Sequence, residues 1–218
     1  LTVRWAQALK VAAIPLLLYG CAAQQPVVVE TDVPRGHVIV RPGRAGFVIA
    51  APHGSSDPPT GHFAAELARR TGFGLVVAAG FATEPDRAYE RRVQDAARGA
   101  LTYYAEFHGP GRLESNRIEI ATVGIDAGLA QRLRSLYELI RDAHLRGYPK
   151  APRVDALVEP ADKLFYGATG GRRDGSLRLP ARALHVELPR VTRTEARDLY
   201  LAILADFLTQ AAQLPAGR

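Results

Sequence analysis

From residue 45 to residue 213, short apolar runs alternate with segments patterned for helix, and this alternation limits the fold more than any other feature of the chain. Phe47-Val48-Ile49-Ala50-Ala51, bounded by Gly46 and Pro52, is unbroken and too short for a helix, as expected of a strand covered on both faces. Thr60 to Arg70 then places Phe63, Ala64 and Leu67 on one helical face. Gly74 to Ala79 reads as the next strand, Leu101 to Phe107 as another that stops at His108-Gly109-Pro110-Gly111, and Arg117 to Val123 as a further one. Arg87 to Arg98 is polar and reads as a loop feeding a helix. Ala127 to Gly147 carries Leu129, Leu133, Leu136 and Ile140 at helical spacing. Ala183 to Leu188 reads as a late strand and Thr192 to Gln213 as a closing amphipathic helix. The pattern predicts an α/β domain of three layers, α/β/α, around a mostly parallel or mixed central sheet.

The segment ahead of this domain has a different character. Residues 1–20 carry Arg4 and Lys10, no acid, and the apolar stretch Val11 to Leu18, which is short for a bilayer span and reads as a signal peptide. Leu18-Tyr19-Gly20-Cys21, followed by Ala22 and Ala23, resembles the lipobox of bacterial lipoproteins, and the chain's single Cys falls at the acceptor position. An ordinary secretory signal or a short membrane anchor are the other readings. Residues 21–44 read as a tether with a short strand at Val38 to Val40, and 214–218 as a C-terminal tail. The expected location is the bacterial cell envelope, on a lipid anchor at Cys21 facing the periplasm.

Composition removes several classes of chemistry. One Cys allows no internal disulfide and no Cys-rich zinc knuckle, and at the lipobox it is no thiol nucleophile. The 28 basic residues outnumber the 22 acidic ones, yet Lys10, Lys150 and Lys163 are the only lysines and no basic run exceeds two. Scattered Arg tracks a phosphate backbone poorly, so no nucleic-acid partner is expected. Motifs for a nucleophile elbow, a P-loop, a dinucleotide fold and an H-E-x-x-H metal helix are all missing. His, carboxylates and Arg remain.

These collect at three strand ends: Pro52-His53-Gly54-Ser55-Ser56-Asp57, Glu106-Phe107-His108-Gly109, and His185-Val186-Glu187-Leu188-Pro189. Ligands of open α/β sheets gather outside the carboxyl ends of strands, where His53 and His108 would converge. Two imidazoles and a carboxylate form a catalytic zinc site with a position left for water, and a separate carboxylate then serves as general base. Bland roles compete with each assignment. Asp57, before Pro58 and Pro59, also suits a helix N-cap. Glu187, between Val186 and Leu188, reads as a half-buried base or as the partner of Arg190 or Arg117. His185 shares its sheet face and reads as a satisfied core residue before a rival ligand. His37, His62 and His144 read as solvated. Ser55 or Ser56 with His53 would make a metal-independent hydrolase, a weaker reading without a strand-turn-helix elbow.

Taken in order, Ala51-Pro52-His53-Gly54, Phe107-His108-Gly109 and Val186-Glu187-Leu188-Pro189 resemble the N-formylglutamate amidohydrolase family, which is akin in fold to zinc carboxypeptidases and the aspartoacylase group. The similarity spans about residues 45 to 210. It implies a zinc-carboxypeptidase-like fold, one Zn2+ per chain held by His53, Asp57 and His108, and Glu187 as general base and acid. Carboxypeptidase-like sites put the acidic ligand three residues after the first His, where this chain has Ser56, with Asp57 one later. The family's Asn-Arg loop is replaced by Arg87-Ala88-Tyr89-Glu90-Arg91-Arg92, which makes Arg91 the candidate for a substrate carboxylate or developing oxyanion, and Arg117 a candidate for substrate binding. The expected activity is zinc-dependent hydrolysis of an amide in an N-acyl amino acid, peptide or cell-wall substrate, formylglutamate itself being a poor fit to an envelope protein. The alternative is a non-catalytic envelope lipoprotein that keeps the fold and binds a ligand or partner.

Overall fold

A computed structural model of the protein describes residues 37–54, 60–78, 87–109, 116–166 and 175–215. Seven strands form one sheet: β1 (Val38–Arg41), β2 (Arg44–Ala51), β3 (Phe73–Ala78), β4 (Tyr103–His108), β5 (Arg117–Val123), β6 (Asp155–Val158) and β7 (Arg182–Glu187), in the spatial order β1-β3-β2-β4-β7-β5-β6. β3, β2, β4 and β7 run parallel, β1 pairs antiparallel with β3, and β5 pairs antiparallel with β7 and parallel with β6. The sheet is therefore mixed, within the α/β class expected.

Its two faces are covered unequally. α1 (Thr60–Thr71), α3 (Ala127–Leu145) and α5 (Arg197–Ala211) pack on one face, where Phe63, Leu67, Leu133, Tyr137, Leu204 and Phe207 meet Ile49, Phe107, Ile120 and Val186. α2 (Arg87–Ala97) covers the other, where Tyr89, Val93 and Ala96 meet Val48, Ala50, Val76 and Tyr104. With helices on both sides, every residue of β3 and of β4 is buried, so those strands read as continuous runs.

Local chemistry sets the helix bounds. The Asp126 carboxylate accepts the Leu129 N–H at 2.7 Å and caps α3, and α1 ends at Gly72, whose φ of +72° suits a residue without Cβ. The polar segment at 87–97 is helix, not loop, because its few apolar residues recur on one stripe that the sheet covers. The helix expected from Thr192 to Gln213 is interrupted: α4 (Arg190–Arg193) stops, and α5 begins at Arg197. Thr192 Oγ1 donates to the Pro189 carbonyl, Thr194 Oγ1 to that of Arg190, and Arg193 Nε to that of Leu188, bonds that compete with a continuous helical ladder. β1 brings Val38–Arg41, part of the segment read as tether, into the sheet.

β6 has almost no sequence signature and is held by its neighbours. Val154, just ahead of it, gives its N–H to the Tyr200 hydroxyl at 2.8 Å, and its carbonyl accepts the Tyr137 hydroxyl at 2.9 Å. The buried Arg141 guanidinium ties α3 to Asp155. Two phenols and a guanidinium fix a strand only four residues long.

The order also creates a topological switch. From β2 the chain moves through α1 to β3 on one side; from β4 it proceeds to β5 on the other. The carboxyl ends of β2 and β4 are adjacent and the connections from them leave in opposite directions, the position at which α/β sheets bind ligands. α2 and β3 approach closely at Gly74, where a Cβ would stand 2.6 Å from the Ala96 carbonyl oxygen. Gly74→Ala must displace backbone, and is expected to lower stability by about 1–3 kcal/mol, read as an earlier urea midpoint at unchanged slope.

Candidate metal centre and active site

The site follows from strand register. β4 and β7 align Glu106 with His185 and His108 with Glu187, and alternation along each strand turns all four side chains to the α2 face. β5 adds Glu119 opposite Glu187 and the small Ala121 opposite His185. A polar block thus closes the carboxyl end of an otherwise apolar layer.

A chain of hydrogen bonds runs through it. The Tyr89 and Tyr104 hydroxyls lie 3.3 Å apart, and Tyr104 donates to Glu106 Oε2 at 2.9 Å. Glu106 Oε1 is 2.6 Å from His185 Nδ1, and His185 Nε2 is 3.1 Å from Glu187 Oε1. Burial and the charge of Glu106 push the Tyr104 phenol up, so it stays a donor. Burial works against the Glu106 carboxylate, but the bond to His185 and the nearby His108 imidazole outweigh it and hold Glu106 well below the usual range. Burial likewise disfavours the His185 imidazolium, yet its bonds to Glu106 and Glu187 raise it from 6.5 to about 9.

His108 is placed differently. Its ring stacks on His185 at a centroid distance of 4.2 Å and stands 5.3 Å from the ring of His53. Its buried Nε2 lies 3.3 Å from Glu106 Oε1, within ion-pair reach but without hydrogen-bond alignment, so it has no hydrogen-bond partner among the described residues. Glu106, His108 and His185 can each point a ligand atom to within 4.8 Å of the others, a donor set suited to a divalent metal.

Of the residues chosen from sequence, His53, His108 and Glu187 converge here. His53 is half-buried in the turn after β2, and His108 and Glu187 are paired in register. Glu187 meets His185, whose two ring nitrogens are both bonded to carboxylates, so His185 is a satisfied, mostly buried residue within the polar cluster. Arg117 begins β5, and because β5 is antiparallel to β7 it lies at the same sheet edge as Glu187, exposed, on the face that Glu119 shares. Arg91 is exposed on α2, with no described hydrogen bond or ion pair to the cluster. Asp57, Cys21, Ser55 and Ser56 lie outside the described residues. His144, expected in solvent, is 2.8 Å from Asp206 and links α3 to α5.

The sequence placed Glu106 at the second strand end without giving it a role, and did not single out Tyr104, Glu119 or Arg193. Glu106 and His108 repeat in reverse the His185–Glu187 spacing of two, and two such pairs on neighbouring strands were the available signal. Arg193 is buried, donates Nε to the Leu188 carbonyl at 3.1 Å and presses its guanidinium on Gly109, where a Cβ would come within 2.5 Å of it.

The structure of a bacteriophage poly-gamma-glutamate hydrolase resembles the chain with a TM-score of 0.51 at 12% identity, covering 80% of this chain and 87% of that one. The likeness is one of fold. Weaker matches are the gene product Atu2144 of Agrobacterium tumefaciens (TM-score 0.42, 14% identity, 80% and 91% covered) and a metallo-carboxypeptidase from Burkholderia cenocepacia (0.39, 15%, 78% and 60%). No protein-family model and no curated protein matches the sequence. No helix among the described residues is long and apolar enough to cross a membrane.

The ionic cluster makes the stability of the metal-free chain depend on pH with a definite sign. The contribution of Glu106, held below its ordinary 4.5, is present above that value and lost as acid protonates it. That of His185, raised from 6.5 to about 9, is complete below 6.5 and gone once pH has risen through about 9. Denaturant unfolding should show this stabilisation greatest between pH 4.5 and 6.5 and declining toward about 9, a decline missing in His185→Gln. A flat profile over that alkaline range would contradict the network.

Proposed function

We propose that the chain is a zinc-dependent hydrolase of an amide bond in an N-acyl amino acid, peptide or cell-wall substrate, related to N-formylglutamate amidohydrolases and held in the cell envelope through lipidated Cys21. The observation that carries the reading is the convergence of the His53 and His108 rings, 5.3 Å apart at the switch point of the sheet, with Glu187 opposite His108 on the next strand. The fold shared with a phage hydrolase is compatible with it.

The residues present fit a metal. His108 Nε2 is buried, lies 3.3 Å from Glu106 Oε1 and has no hydrogen-bond partner among the described residues, the state of an imidazole nitrogen that a metal would complete. In this reading His53 and His108 hold the ion with Asp57 as third ligand. Glu106 stands behind, bonded to His185 and within ion-pair reach of His108. A divalent ion at such ligands supplies carbonyl polarisation and a more acidic water. Glu187 takes the proton of the attacking water and returns it to the leaving amine. His185 holds Glu187 Oε1, which leaves Oε2 for that transfer. Arg117, at the rim, offers a guanidinium for a substrate carboxylate, and Arg91 retains the proposed role of steadying the developing oxyanion.

The cluster of Glu106, His108 and His185 is the competing ligand set, favoured by the mutual approach of its donors. It requires His185 to give up one of its two carboxylate partners. Elemental analysis of the purified full chain should find about one zinc per chain, lost in His53→Ala and His108→Ala. His185→Gln should keep the metal, whereas its loss there would move the ion into the cluster. Glu187→Gln should keep the metal and slow hydrolysis of N-acyl amino acids by about 100-fold or more. Turnover that survives complete chelation would overturn the proposal, and a chain holding no stoichiometric metal would favour a non-catalytic binding protein.

A further inference from the structure

Beside the row of Glu187 lies an aromatic pair that the metal chemistry leaves unused. Glu119, opposite Glu187 in the β5–β7 register, is 5% exposed. Its Oε2 accepts two consecutive backbone N–H groups, from Phe165 at 2.9 Å and Tyr166 at 2.7 Å. A buried carboxylate is unfavourable unless hydrogen-bonded, and here the bonds fix a stretch of irregular backbone at the edge of the site. Leu164 packs against the apolar layer beneath. The rings of Phe165 and Tyr166 meet edge to face, with centroids 5.0 Å apart at 77°. The Tyr166 phenol is raised by partial burial and by the charges of Glu187 and Glu119, which places it on the side of those carboxylates.

Phe165 itself is 71% exposed. Single exposed apolar residues are common and need no function. Leu139, exposed to 70% on α3, is such a case: its backbone is fixed within the helix, but the active-site edge is not beside it. Phe165 has both, and a ring on fixed backbone loses little freedom on contact, the condition for an effective anchor. Charge narrows the class of ligand. Glu119 and Glu187, on adjacent strands, are the carboxylates beside Tyr166, so an acidic side chain next to the aromatic pair meets like charge and a neutral ring does not, while Arg117 at the rim is left to the substrate's own carboxylate.

We propose that Phe165, seated by Glu119 and braced by Tyr166, is a specificity contact that selects amide substrates with an aromatic or bulky apolar side chain next to the scissile bond. The inference takes the amide from the hydrolase reading above; the binding preference itself is measurable without turnover. The zinc-supplied full chain carrying Glu187→Gln is titrated in a calorimeter with N-acetyl-phenylalanine, N-acetyl-alanine and N-acetyl-glutamate. N-acetyl-phenylalanine should bind about tenfold tighter than N-acetyl-alanine, as aromatic packing of this kind provides. Adding Phe165→Ala should bring the ratio close to one, Phe165→Leu should restore part of it, and the metal content should not change. An unchanged ratio in Phe165→Ala, tightest binding of N-acetyl-glutamate, or binding of none of the three overturns the proposal. The hydrolase reading fails separately, if the chain with Glu187 intact shows the aromatic preference yet cleaves none of these compounds.

Discussion

The 2.6 Å contact between Glu106 and His185 is the interaction on which the site is built. Both groups are removed from water, and either one alone would be an unfavourable buried charge; together, each stabilises the charged form of the other. Parallel register between β4 and β7 makes the contact, because a slip of one residue would turn either group to the opposite face. From the pair, order spreads outward. Tyr104 holds the second oxygen of Glu106, His108 stacks on His185, and Glu187 is held by the outer nitrogen of His185. Groups capable of metal binding and proton transfer therefore have fixed positions before any ligand arrives, which is the condition for efficient catalysis.

The surrounding layers divide the labour. The face under α1, α3 and α5 is apolar to the end of the strands, with Phe107, Val186 and Leu188 all buried, and supplies rigidity. The face under α2 is apolar only in its lower part and changes to polar at Glu106 and His185. Antiparallel β5 lets the start of one strand face the ends of others, so Arg117 and Glu119 reach the same edge as His108 and Glu187. A wholly parallel sheet would have placed them at the far end.

The α/β architecture was legible because buried strands must be continuous apolar runs, as at residues 47–51, and because α3 shows its core face at helical spacing. The polar helix α2 and the short β6 were not, since both depend on distant partners: the sheet beneath Tyr89 and Val93, and the hydroxyls of Tyr137 and Tyr200 around Val154. At the site, His53, His108 and Glu187 stood out as polar residues at strand ends. Glu106, though at a strand end, and Glu119 had no legible role, because the groups that define them, His185 and the Phe165–Tyr166 backbone, come from distant parts of the chain. Arg91 was placed by analogy with a loop, and the segment turned out to be a helix that leaves it exposed.

The contact of Gly109 with Arg193 couples two distant positions of the chain. The guanidinium occupies the space a side chain at 109 would need, and bonds to the carbonyl of Leu188, whose own N–H bonds to the carbonyl of His108. The end of β4 and the turn into α4 are thereby locked as one joint. Substitutions at 109 and 193 are consequently epistatic: a side chain at 109 is excluded while Arg193 is present, and a shorter residue at 193 leaves an opening that a larger residue at 109 would fill. The joint adjoins His108 through Gly109 and Glu187 through Leu188, so drift at 109 or 193 is constrained by a neighbour 84 residues away in the chain.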